Sequence, residues 1–463
     1  MSSRTVSLVV CLLAVLGCQS GGRNESSSQP AAEPVTQSEV SVPPEVAASS
    51  TNENVSGTGS VVGPERIALH AARILDPASG QVHSDAFLVI EGDRIVSVPP
   101  TTPPDDARRI ELGDVTLLPG FIDCHTHLGS DLSDGWQSRN VTDTAADVAL
   151  RGAYNAGLTL RAGFTSVRDV GSRGFADVAL RKAIDAGFVA GPRMISAGHT
   201  ISITGGHGDV TGLRPGVLEH GVEQGIADGV DEVVAAVRYQ IKHGATVIKT
   251  TATSGVLSHE DTVGAQQYSD AELDAMVAEA SRHGIKVAAH AHGNDGIKAA
   301  VRAGVASIEH GSVLDDEAIA LMRERGCYLV PTTYLADAID LDQLPPGIRA
   351  KAEGILPVAK DSVRRAIEAG VLIAYGTDAG VYPHGLNARE FAVLVTRGMS
   401  PLDALRSATV HAADLLGVDD RGRLAPGLLA DLVAVPGNPL QDISVTETPS
   451  CVIKGGEFVL GSP

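Results

Sequence analysis

Four histidines, one lysine and one aspartate sit where apolar runs end. They are His125 and His127 in "PGFIDCHTH", Lys249 in "TVIKTT", His290 in "KVAAHAHG", His310 in "SIEHG" and Asp378 in "LIAYGTDAG". Imidazole and carboxylate are ordinary ligands of zinc-like divalent ions, with water completing a reactive site. In an extended strand, residues i and i+2 share a face. His125 and His127 therefore point one way, with Asp123 deeper on the same face, while Cys124 and Thr126 point the other. Taken singly, each group has an ordinary explanation: a hydrogen-bonded core histidine, a snorkelling lysine, a turn-forming aspartate. Their recurrence at the same end of successive runs is what points to a metal centre.

Four histidines and one aspartate can supply two ions, but a bridge is needed between them. An ammonium among cations is strongly disfavoured, and burial lowers a lysine pKa. A neutral Lys249 amine can add CO2 and lose a proton, giving an anionic carbamate whose two oxygens bridge two metals. A mononuclear site with Lys249 merely nearby is the alternative.

The elements that must position these groups alternate regularly. Apolar runs fall at 117–125, 166–171, 193–198, 246–251, 286–291, 307–311, 328–332 and 372–378. Helical patterns separate most of them. "SDAELDAMVAEASRHG" opens with Ser269 as N-cap and Glu272 at the capping-box position, and closes at Gly284. "DDEAIALMRERG" closes at Gly326, and "SPLDALRSATVHAADLLG" opens with Ser400 as cap and Pro401 at the first helical position. Eight such strand–helix units predict a (β/α)8 TIM barrel over residues 117–419, with reactive groups at the C-terminal strand ends. Short strands punctuated by "PASG" and "EGDR" before it, and by "LAPG" and "KGGE" after it, predict a small β-sandwich domain built from both chain ends, 64–116 and 420–463.

The apolar fraction of 43% suffices for a core, and the 3% of aromatic residues means that core is mostly aliphatic. Lys and Arg number 36 against 56 Asp and Glu, a net charge of −20, which argues against nucleic acid or anionic lipid as the main partner. A homo-oligomer is compatible with the sequence. Arg4, the apolar "VSLVVCLLAVLG" and Cys18 resemble a bacterial lipoprotein signal, in which residues 1–17 are removed and Cys18 is lipidated. An ordinary secretory signal is the alternative. Gln19 after the cysteine, rather than Asp, implies outer-membrane sorting by that resemblance. The expected location is the cell envelope, facing the periplasm or outside, held by lipid alone. Residues 18–63 are rich in Ser, Glu, Pro and Ala and read as a flexible tether. Cys124, Cys327 and Cys451 are odd in number and widely spaced, so they read as buried packing residues rather than a disulfide framework.

The motifs "PGFIDCHTH", "VIKT", "AAHAHG", "IEHG" and "GTDAG" resemble the amidohydrolase superfamily, in its binuclear subtype with a carboxylated lysine, over roughly residues 64–460. The resemblance implies that His125, His127 and Asp378 hold one metal and that His290 and His310 hold the other. It implies that Lys249, as N6-carboxylysine, bridges them. It further implies two divalent ions, zinc foremost, and attack by a bridging hydroxide with Asp378 shuttling the proton. The loops "GGHGD" and "QQYSD" look like those of metal-dependent dipeptidases that remove a C-terminal residue such as proline from a dipeptide or an N-acyl amino acid. By that likeness His207 and Tyr268 serve catalysis and contact substrate, and His292 faces substrate or supports the ligands. Two readings compete: cyclic-amide hydrolysis of the imidazolonepropionase type, and a non-catalytic surface binding lipoprotein. The complete ligand set argues against the latter.

Overall fold

The computed structural model describes residues 65–99, 102–131, 138–256, 263–344 and 346–461. The expected signal, Cys18 and the tether lie outside them. Among the described residues no helix is long and apolar enough to cross a membrane.

Fifteen strands are assigned in chain order. The first five are β1 (Arg66–Asp76), β2 (Gln81–Glu91), β3 (Arg94–Ser97), β4 (Arg108–Glu111) and β5 (Val115–Pro119). Then come β6 (Phe121–Thr126), β7 (Phe164–Asp169), β8 (Arg193–Ser196), β9 (Ile248–Thr251), β10 (Val287–Ala291), β11 (Ser307–His310) and β12 (Tyr328–Val330). The chain closes with β13 (Leu432–Pro436), β14 (Cys451–Lys454) and β15 (Glu457–Leu460).

Both chain ends meet in one eight-stranded sheet, ordered β15-β14-β13-β5-β1-β2-β3, with β4 also paired to β1. Where the sequence implies a sandwich, the hydrogen bonds trace this single sheet. Alternation explains its two faces. Leu69, Leu88, Leu117, Leu432 and Ile453 bury one face in a cluster of their own, while Leu118, Val433 and Val452 join the main core. Fully burying each such aliphatic side chain contributes about 1.5–3 kcal/mol. Arg193, on β8, pins the sheet by a forked contact to Asp431 at 2.8 and 3.1 Å.

The remaining strands are parallel and buried on both faces, so they read as continuous apolar runs. They form one sheet ordered β6-β7-β8 and another ordered β12-β11-β10-β9. Single parallel bridges extend the pairing: Ile201 to Thr250, Leu329 to Ile373, and Thr126 to Ala379. The apolar run at 372–378 is not a regular strand. It is held by Cys124 N–H to Tyr375 O (2.8 Å) and Asp378 N–H to His125 O (2.7 Å). Helices between the strands complete a mixed α/β fold.

Two helices follow the sequence signals closely. Asp270–Arg282 starts at Ser269 with the full capping box to Glu272, and Asp316–Arg325 ends at left-handed Gly326. The "SPLDALRSATVHAADLLG" segment instead breaks into Pro401–Ser407 and Val410–Leu416. The Ser407 and Ala408 carbonyls leave the helix to accept from Tyr375 and Ile122 N–H, at 3.0 and 2.7 Å. The Ser407 and Thr409 hydroxyls bond back to Ala404 and Leu405 carbonyls, which favours the break. Cys124, Cys327 and Cys451 are free and buried.

Candidate metal centre

Strand β6 delivers His125 and His127 to one end of the parallel strands. Asp378 comes to meet them in the left-handed region, φ 60°, fixed by its N–H to the His125 carbonyl. Its Oδ1 lies 3.5 Å from both His125 Nε2 and His127 Nε2. Ligand atoms on bonds of ~2.1 Å at tetrahedral angles lie roughly 3.4 Å apart, so this spacing fits a shared cation. The three groups make a candidate metal site.

Four rings are engaged through Nδ1. His125 Nδ1 donates to Glu309 Oε2 at 2.7 Å, and His127 Nδ1 donates to Gly171 O at 3.0 Å. His310 Nδ1 meets Thr332 Oγ1 at 2.8 Å, and His292 Nδ1 meets Ser312 Oγ at 2.7 Å. Each ring is thereby oriented with Nε2 free for another partner, the usual outer support of a metal-binding histidine.

Beside this triad lie Lys249 on β9, His290 on β10 and His310 at the end of β11. Five rings follow one another: His127, His125, His310, His290 and His207, with centroid steps of 5.4, 5.0, 4.7 and 4.1 Å. Burial, reinforced by the neighbouring rings, pushes His290 and His310 well below the ordinary imidazole range. Burial lowers His127 to about 4 against the pull of Asp378, and lowers His292 to about 3. Burial also brings Lys249 down to about 8, although Glu309 and Asp378 oppose it. Burial alone would raise Asp378, but His125, His127 and Lys249 hold it below the usual carboxylate range. These shifts leave His127, His290, His292 and His310 neutral and Asp378 ionised, and they ease the loss of a proton from Lys249. Lys249 Nζ and His290 Nε2 are buried with no hydrogen-bond partner among the described residues. Orphaned donor atoms of this kind are costly unless a bound group satisfies them.

All six expected ligands line one cavity of about 840 Å³, together with His207 and His292. His207 stacks on His290 with 23° between ring planes. A Cβ at Gly255 would fall 2.2 Å from the His207 ring, so only glycine admits that ring. His292 stacks on His310 with 14° between planes. Tyr268 does not lie at the mouth and is not among the cavity-lining residues. Its phenol is buried and donates to the Ala227 carbonyl at 3.0 Å. The position before the Ser269 cap turns the ring under the neighbouring helix rather than over the strand ends.

Three supporting residues escaped the sequence reading of roles. Glu309 is fully buried and joins His125 to Arg168, whose Nη2 donates to Glu309 Oε1 at 2.8 Å. Burial would raise Glu309, but Arg168 and His125 hold it far below the usual range. Arg168 also donates to the Cys124 carbonyl and Ser307 Oγ. Asp123, read only as a deeper residue of β6, accepts from the N–H groups of His125 and Thr377, from Thr377 Oγ1 and from Asn387 Nδ2. It locks β6 to the Asp378 segment. A charge inside an apolar run, as in "SIEHG" and "SVRDVG", was the available signal.

A buried imidazole–carboxylate triad at one end of the parallel strands, beside a buried lysine whose charge burial disfavours, fits a metal-assisted hydrolase. Residues 116–459 match the Amidohydrolase family, and the chain belongs to it. It is an enzyme that hydrolyses C–N bonds. The chain is 36% identical over 427 residues to an ochratoxinase of Aspergillus niger, covering 86% of this chain and 87% of that one. It is 27% identical over 396 residues to an imidazolonepropionase of Deinococcus radiodurans, covering 80% and 90%. Among solved structures, a Xaa-Pro dipeptidase with methionine bound in its active site is similar at TM-score 0.83 and 41% identity, covering 86% of this chain and 100% of that chain.

Proposed function

We propose that the chain cleaves the amide bond of dipeptides or N-acyl amino acids, in the manner of a Xaa-Pro dipeptidase. The observation that carries the reading is the Asp378 carboxylate set 3.5 Å from two Nε2 atoms whose rings are fixed from behind. The likeness to a Xaa-Pro dipeptidase supports the substrate class. The two parallel sheets and the 372–379 segment would close as a (β/α)8 barrel, the single bridges supporting that closure. His125, His127 and Asp378 would hold one cation and His290 and His310 a second, zinc foremost, with Lys249 between them as a carbamate. Divalent cations there would polarise the scissile carbonyl and make hydroxide available near neutral pH.

The chain's own residues do the rest. Asp378, held ionised by its histidine neighbours, accepts a proton from the attacking water and returns it to the leaving nitrogen. His207 and His292 face the cavity and present ring nitrogens to the substrate carbonyl. Glu309 and Arg168 keep the His125 ring in place. Export with lipidation at Cys18 would put this activity in the cell envelope, where small peptides are encountered.

The test is a panel of Xaa-Pro dipeptides, other dipeptides and N-acyl amino acids, run with zinc-loaded and chelator-stripped protein. Amide cleavage that depends on metal, and that drops by about 10²–10⁴-fold in Asp378→Asn while the melting temperature holds, is the expected result. Turnover of cyclic amides alone would transfer the assignment to ring opening, the chemistry suggested by the likeness to imidazolonepropionase.

A further inference from the structure

The cavity is divided chemically. One wall is apolar, built from Leu335 and Ile339 and from Ile355, Leu356, Ala359 and Val363 of the Pro346–Glu368 helix. Positions 355, 359 and 363 are spaced i, i+4, i+8 and make one stripe along that helix. Another part of the lining carries Arg139, Arg151 and Arg173. Arg151 is engaged, donating to Gly129 O at 3.0 Å and pairing with Asp143 at 2.5 Å. Arg139 donates to Asp131 O at 2.8 Å. The Arg173 guanidinium has no hydrogen bond and no ion pair among the described residues, and its side chain is exposed.

The segment that carries Arg173 is firmly held. Gly171 O accepts from His127 Nδ1, which ties the segment to a metal-ligand histidine. Gly174 N–H donates to His199 Nε2 at 3.0 Å. The Phe175 ring packs edge-on to His199 and stacks on His243, with centroids 4.6 and 4.7 Å away. Arg173 lies two residues past Gly171, so their Cα atoms are at most about 7 Å apart. In an N-acyl amino acid the carboxylate lies roughly one residue length, ~3.5 Å, from the scissile carbonyl carbon. Arg173 lines the same cavity as Asp378 and the four histidines, and its planar fork matches a carboxylate. Against a net charge of −20, a local unpaired cation favours an anionic group beside it.

We infer that Arg173 anchors the free carboxylate of an N-acyl amino acid while the apolar wall receives a bulky apolar acyl group. The assignment rests on the amide-hydrolysis reading above. The volume of about 840 Å³ falls in the upper part of the range for small-molecule sites, which suits a large acyl group better than a small one.

The test uses N-naphthoyl amino acids, the matching N-acetyl amino acids, and the carboxamide forms of the naphthoyl compounds, with naphthoate or acetate release as readout. Wild-type protein should show the lowest KM for the naphthoyl acids. Arg173→Met should raise that KM about 10- to 100-fold with little change in kcat, and Arg173→Lys should recover part of it. The KM for the carboxamides should scarcely move. Calorimetric binding of naphthoyl acids to Asp378→Asn should weaken by a similar factor when Arg173→Met is added, independent of turnover. Equal KM for acid and carboxamide in the wild type, or an unchanged KM in Arg173→Met, overturns the anchor and leaves amide hydrolysis standing. Equal KM for acetyl and naphthoyl acids overturns the acyl wall. Arg173-dependent binding without release of either acid overturns the hydrolysis reading and leaves the anchor standing.

Discussion

Glu309→Gln separates metal binding from stability. The wild-type carboxylate takes His125 Nδ1–H at 2.7 Å on one oxygen and Arg168 at 2.8 Å on the other, with both partners buried. The amide keeps an acceptor for one of them only, and turns an N–H donor toward the other. It also leaves the Arg168 guanidinium buried without its counter-charge. Removing one partner of a buried ion pair costs about 3–5 kcal/mol, which in a chain of this size lowers the melting temperature of metal-free protein by roughly 3–6 °C. Losing the group that orients a metal-binding histidine costs about 10- to 100-fold in metal affinity, or roughly 1.4–2.7 kcal/mol. Chelator-competition titration with zinc measures the second effect and scanning calorimetry the first. The double variant Arg168→Met with Glu309→Leu removes the stranded charge, so it should regain much of the stability while zinc stays weak. Wild-type zinc affinity in Glu309→Gln, or full recovery of zinc affinity in the double variant, would refute the argument that Glu309 orients His125.

Three further outcomes follow from the geometry. Lys249→Ala should lower bound zinc from about two ions per chain to about one, and zinc reconstitution of wild-type protein should be faster with added bicarbonate; metal analysis and reactivation kinetics read both. Gly255→Ala should displace the His207 ring and cut kcat/KM by about 10-fold or more without changing the circular dichroism, because the new Cβ would meet that ring at 2.2 Å. Glu279, paired with Arg238 and Arg282, is held near 2 by the Arg238 hydrogen bond, against burial. A depressed acid stabilises the fold above its unfolded pKa and loses that contribution as pH falls from about 4.5 toward 2, so Glu279→Gln should melt lower at pH 7 and show a flatter acid limb in thermal scans.

The gathering of the proposed ligands at one cavity was legible because strand periodicity carries direction as well as position. Asp123, His125 and His127 stand at i, i+2 and i+4, and all three act toward the same end of the molecule. The same rule fails on β11. Strict alternation would send Glu309 and His310 to opposite faces, yet Glu309 bonds His125 and the His310 ring lies 5.0 Å from it. The cause is His310 itself, which is left-handed at φ 70° and so is re-aimed at the strand end. Nothing in a histidine announces that turn, whereas a glycine would have. The orientation of Tyr268 was illegible for a related reason: its place just before the Ser269 cap located its backbone but not the direction of its ring. The substrate-facing walls were the least legible part. Arg173 and the Ile355–Val363 stripe belong to separate connections whose meeting depends on how each packs.

The left-handed residues also bear on why the centre exists at all. Non-glycine residues with positive φ include His310, Thr332 and Asp378, which are two candidate ligands and the partner of one of them. Each such conformation costs of order 1–3 kcal/mol and persists only where surrounding contacts over-determine it. Those contacts are present for Asp378: its N–H is held by the His125 carbonyl, and the adjoining Thr377 is fixed by Asp123 through both N–H and hydroxyl. Asp123 is itself pushed up to about 6 by burial, against the four donors it accepts from. A buried acid that is costly to ionise is therefore retained in the chain because it sets where Asp378 stands. These contacts fix the strained residues in place, so their donor atoms converge on one region. Such preorganisation explains why so many charged and strained residues are concentrated at one end of otherwise aliphatic strands.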